Sequence, residues 1–191
     1  MNYPLKPVRM IVSITALVLC LPAVSFGQDK IRGHLGVTLG IRMAELKEVL
    51  SRTPCISKTK SGEILFEQVP LKSYYRTYCR HNSRFNSEVV FWVNGQSSVV
   101  QIRESFDGDA ISNLADTRHE FVRLKGEFSK TWGSPNQDDK DLAVWKDTTH
   151  AAILRVIPPD HPLSLPILKV VVSAYGLKSE EMQRTLAGKV F

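Results

Sequence analysis

The run His119-Glu120-Phe121-Val122-Arg123 begins like the helix of a zinc protease, in which a histidine, a glutamate and a second histidine one turn on share a metal. Arg123 stands where the second imidazole is needed, and a guanidinium does not ligate a cation. His34, His81, His150 and His161 are scattered without ligand spacing, so no metal site is expected. Asp107-Gly108-Asp109 opens like a calcium loop but lacks the later glycine and ligand pattern, and a turn leading into a helix is expected there. Gly95-Gln96-Ser97-Ser98-Val99 lacks the closing glycine of a nucleophile elbow and belongs to a hairpin. Asp138-Asp139-Lys140-Asp141 offers adjacent carboxylates, whereas glycoside hydrolysis needs two held across a cleft; a solvated loop is expected. No catalytic residue and no cofactor follow from these patterns.

One segment departs from background in a way that suits binding. Between Leu71 and Arg84, Lys72, Arg76, Arg80 and Arg84 recur every four residues without an acid, beside Tyr74, Tyr75 and Tyr78. As a helix the segment presents a cationic stripe; as a strand it aligns Lys72, Tyr74, Arg76, Tyr78 and Arg80 on one face. Positive charge mixed with tyrosine fits an anionic partner, an acidic protein surface or anionic envelope material. Nucleic acid is not expected in the compartment indicated by the N-terminus.

That compartment is written in the first residues. Lys6 and Arg9 precede an apolar run from Met10 to Leu21, then Pro22 and small residues at Ala23, Ser25 and Gly27, the order of a secretory signal peptide over residues 1–27. The run extends about seventeen residues even to Phe26, short of the ~20 needed to span a bilayer. Cys20 follows Leu19 inside the run, so no lipidation signal is present. Removal of the leader takes away Lys6, Arg9 and no acid, lowering the formal net charge of +6 by two. Periplasmic or secreted localisation is expected, with no stable membrane span after processing. In that setting the remaining cysteines, Cys55 and Cys79, are expected to pair as a disulfide stabilising the fold by about 3 kcal/mol.

At 191 residues, 43% hydrophobic and 23% charged, the chain is neither a disordered tail nor a polytopic membrane protein. Residues 28–191 are expected to form a single domain. Ile41, Leu46, Val49 and Leu50 indicate a helix over about 42–51, preceded by a glycine-rich turn. Six strands are expected: Glu63 to Val69, Val89 to Val93, Ser97 to Ile102, Leu142 to Lys146, Ala151 to Ile157 and Ile167 to Ala174. Asn94-Gly95 suggests a two-residue hairpin pairing Val93 with Gln96, hence Phe91 with Ser98 and Val89 with Val100. A long helix is expected over about 110–132, and Ser179 caps a short final helix carrying Met182 and Leu186. Fold class is therefore α+β, an antiparallel sheet of about six strands with two main helices and a short C-terminal one. Residues 33–104 and 105–191 repeat the order helix then hairpins, which raises an internal duplication.

Two stretches resemble known families. Leu39-Gly40-Ile41-Arg42-Met43-Ala44-Glu45-Leu46-Lys47-Glu48-Val49-Leu50 resembles the opening helix of small exported bacterial α+β domains. Trp132-Gly133-Ser134-Pro135 followed by Val144-Trp145 resembles the helix-to-strand junction of the β-lactamase-inhibitor-protein and outer-membrane-assembly (SmpA/OmlA) type. The second group consists of lipoproteins, from which this chain departs. The resemblance implies a non-enzymatic envelope protein that works by contact, of the inhibitor, immunity or assembly kind. The competing expectation is an envelope hydrolase with a dispersed active site.

Overall fold

The computed structural model describes residues 30–52, 65–69, 72–81, 85–107 and 111–188. Strands β1 (Gly33–His34) and β2 (Val37–Thr38) form a small hairpin. Its two turn residues, Leu35 and Gly36, both adopt positive φ, which matches the twist of a two-residue connection. Helix α1 (Met43–Arg52) follows, then β3 (Leu65–Val69), β4 (Lys72–His81), β5 (Phe85–Val93) and β6 (Val99–Asp107). The second half runs α2 (Leu114–Trp132), β7 (Gln137–Asp139), β8 (Leu142–Lys146), β9 (Ala151–Ile157), β10 (Ile167–Ser173) and α3 (Glu180–Leu186).

Strands β3 to β10 form one antiparallel sheet in the order β3-β4-β5-β6-β10-β9-β8-β7. Each half is thus a helix followed by a four-strand meander, and the halves join through the last strand of each. All six expected strands are present. The sheet also contains β7 and makes residues 72–81 of the cationic segment, open between helix and strand in the sequence, the strand β4.

Both long helices pack on the same face. On it Leu46 and Leu50 of α1 meet Val89, Phe91 and Ile102, while Phe121, Leu124, Phe128 and Trp132 of α2 meet Leu154, Val170 and Trp145. Helix α2 begins at Leu114 rather than near residue 110, because Asn113 caps it: its side chain accepts from the Asp116 amide at 2.9 Å. Gly133, at φ 85°, ends it, and the Trp145 indole donates to the Gly133 carbonyl at 2.8 Å. The Trp-Gly…Trp junction is thus a helix stop bolted to a strand. Helix α3 packs on the opposite face, where Met182 meets Val144, Ile153 and Val171.

The β5–β6 hairpin differs from expectation in register. Val89 pairs with Glu104 and Phe91 with Ile102, a shift of four positions, with an irregularity at Trp92/Val93. The Asn94 side chain explains the longer turn: its Oδ1 accepts from the amides of Gln96 and Ser98, each at 3.0 Å, and Ser97 rather than Gly95 takes positive φ. Because the shift is even, the buried set stays on the core face.

Candidate functional site

The candidate site is the sheet face opposite α1 and α2, across β4, β5, β6 and β10. Backbone register builds it in rows. Tyr74 pairs with Trp92 and Trp92 with Gln101; Arg76 pairs with Val90 and Val90 with Arg103; Tyr78 pairs with Glu88 and Glu88 with Ser105; Arg80 pairs with Asn86. On β10, Val171 continues the Arg103 row and Lys169 the Ser105 row. Alternation along the strand places positions 72, 74, 76, 78 and 80 in line with one another, the strand alternative of the sequence reading.

Tyr75 does not belong with them. It pairs with Phe91, whose side chain is buried under α1, so its position falls on the core face. Period-two alternation separates neighbours 74 and 75, which only a helix could have kept together. Arg84 and Cys55 lie outside the described residues, as does the expected signal peptide. Cys79 pairs with Ser87 in β4–β5, again a core-face position.

Around these rows lies a charged network that the sequence reading missed. Arg103 donates to Glu88 Oε2 at 3.1 Å and stands 5.3 Å from the centre of the Trp92 ring, a cation–π geometry. Its other terminal nitrogen lies 3.8 Å from Glu181 Oε1, to which Lys169 Nζ donates at 3.0 Å. Lys169 is 3% exposed. Burial pushes its amine below the usual lysine range, opposed by the Glu181 carboxylate, whose charge and hydrogen bond hold the proton on. Arg155, paired across β9–β10 with Lys169, donates to the Leu186 carbonyl at the end of α3. The signal for this network was alternation: Gln101, Arg103 and Ser105 are polar on one side of β6, and Lys169 interrupts an apolar strand.

Gly108 and Asp109 of the turn expected at Asp107-Gly108-Asp109 lie outside the described residues, while two other motifs set aside in the sequence take structural roles. Arg123 is engaged by Glu120 and Glu127 along α2, and His119 is exposed. Asp141 accepts a two-pronged contact from Arg118, at 2.7 and 2.8 Å, and Asp138 accepts from Lys125 at 2.7 Å. Among the described residues no three histidine, cysteine, aspartate or glutamate side chains gather as a metal site.

His34, Glu104 and Ser87 bring together, among the described residues, the residue types of acyl transfer. Glu104 is fully buried, accepts from Ser87 Oγ at 2.5 Å, and lies 2.6 Å from His34 Nε2. A nucleophilic serine must donate to the imidazole, whereas Ser87 donates to the carboxylate itself. The trio instead ties β1 to β5 and β6, with the His34 ring edge-on to Phe128 at 5.4 Å.

Among the described residues no helix is long and apolar enough to cross a membrane. Comparison with protein-family models, curated proteins and solved structures finds no match to this chain.

Proposed function

We propose that this is an exported, non-catalytic binding protein that engages an acidic protein surface or another anionic envelope component through the sheet face of β4–β6. Its setting in this reading is the periplasm or the exterior, reached with a signal peptide over residues 1–27 and stabilised by a Cys55–Cys79 disulfide. An inhibitor, immunity or envelope-assembly role is the class of activity it supports.

The observation that carries the reading is the register of β4. Lys72, Tyr74, Arg76, Tyr78 and Arg80 occupy alternate positions in line with Trp92 and Arg103, on the face away from both long helices. Such a row supplies charge for steering and aromatic surface for anchoring. The surrounding acids Glu88 and Glu181 are bonded to Arg103 and Lys169, which fixes the platform beside the β4 positions.

The test is retention of partners from envelope extract at low and high salt, comparing the purified protein with an Arg76→Glu, Arg80→Glu variant. Salt-sensitive retention by the parent and its loss in the variant, with unchanged circular dichroism, supports the reading. Equal retention by both overturns it.

A further inference from the structure

Four large apolar side chains stand exposed among the described residues: Val122, Leu163, Leu165 and Tyr175. Two of them fall within three residues, in the β9–β10 connection Pro158-Pro159-Asp160-His161-Pro162-Leu163-Ser164-Leu165-Pro166, where Leu163 is 88% and Leu165 60% exposed. These two are the exposed leucines among the described residues, where the others of described burial are partly or fully buried.

Part of this loop's backbone is already satisfied without water. Pro158, Pro159, Pro162 and Pro166 carry no amide hydrogen. The Leu163 amide donates to His161 Nδ1 at 3.2 Å, and the Ser164 amide to the His161 carbonyl at 2.9 Å. From Pro162 to Ser164, therefore, no amide is left to be stripped of water when the loop enters an apolar medium, the main penalty for irregular backbone there. No side chain from Pro162 to Pro166 is charged. The prolines also restrict the chain beforehand, which reduces the ordering cost of a contact.

We propose that this loop is an interfacial anchor that dips Leu163 and Leu165 into the headgroup–acyl boundary of a lipid surface. A lipid boundary takes apolar side chains in any orientation, provided that they bring no unsatisfied donors. A protein pocket asks in addition for polar groups that fix orientation, and the side chains from Pro162 to Pro166 offer only the Ser164 hydroxyl. Each leucine, fully inserted, strengthens partitioning by roughly ten- to a hundredfold. The contact is reversible, as even a single acyl chain gives only marginal binding. It occurs at the end of the sheet where Ile157 pairs with Ile167 and Arg80 with Asn86, which brings one cation of β4 to the same end.

The purified protein is mixed with unilamellar vesicles of phosphatidylethanolamine and phosphatidylglycerol, and separately of phosphatidylcholine, and floated through a density gradient. The parent floats with both. The Leu163→Ser, Leu165→Ser variant loses at least about tenfold in partitioning on both while keeping its thermal midpoint, since both side chains are exposed. A Leu163→Trp variant shifts its emission to the blue on vesicle addition. Absence of the parent from the floated fraction, equal flotation of the serine variant, or an unmoved tryptophan spectrum overturns the proposal. So does a leucine-dependent complex with a purified protein in the absence of vesicle binding. The Arg76→Glu, Arg80→Glu variant retains leucine-dependent flotation on phosphatidylcholine, which keeps this outcome separate from the sheet-face reading.

Discussion

Lys169 on β10 donates to Glu181 on α3 at 3.0 Å, with side chains 4% and 7% exposed, so the final helix is held to the sheet by an ion pair almost out of water. Removing one partner strands the other charge. Glu181→Gln is expected to cost about 3 kcal/mol at neutral pH, read by urea unfolding. Lys169→Met with Glu181→Leu restores apolar packing and returns to within about 1 kcal/mol of the parent. In Glu181→Gln the Lys169 amine loses the carboxylate that keeps it charged. Its folded-state pKa, already depressed, falls further below the unfolded value. The unfolded chain then binds more protons, so the variant regains stability as pH rises on the alkaline side.

Arg118 holds the Asp141 carboxyl below its ordinary range, chiefly through the hydrogen bonds between them and against partial burial. The stability from this shift is fully present above the ordinary carboxylate pKa and is lost as pH falls through the lowered one. Asp141→Asn is expected to flatten that part of the acid limb. Thermal midpoints between about pH 5 and pH 2 will show a smaller drop than in the parent. A parallel drop would remove this pair from the account of acid stability.

Ser97 sits at φ 59° in the β5–β6 turn, a region that disfavours residues with a Cβ. Ser97→Gly is expected to stabilise by about 0.5–1 kcal/mol, whereas Asn94→Ala, which removes acceptors for two amides, destabilises by about 1–2 kcal/mol. Denaturant midpoints moving in opposite directions confirm the turn. If Gly95 were instead the positive-φ residue, Ser97→Gly would be destabilising.

These turns also show where the sequence was legible. Periodicity gave α2 through Phe121, Leu124, Phe128 and Trp132, and chemistry gave the α3 cap, where the Ser179 hydroxyl accepts from the Met182 amide at 3.3 Å. The β5–β6 turn was legible in position and not in register, because Asn94 serves equally as a turn residue and as a side-chain acceptor. Strand β4 was ambiguous because Lys72, Arg76 and Arg80 recur at the helical interval of four, which is also even and so compatible with a strand. Its neighbours resolve it: ladders to β3 and β5 satisfy its backbone on both edges, which no local propensity encodes. Alternation marked Arg103 and Lys169 as out of place, but which of Arg103, Glu88, Lys169 and Glu181 pair was not legible, because they come from four elements brought together by sheet order.

The central claim is that the β4 row binds an anionic partner. Its most direct measurement compares the parent, Arg76→Glu, Arg80→Glu and a Leu163→Ser control for salt-dependent capture from envelope extract. The account predicts that only the charge-reversed protein loses the partner, by more than about tenfold, with its unfolding midpoint unchanged. Capture undiminished by charge reversal, or insensitive to salt in the parent, contradicts it.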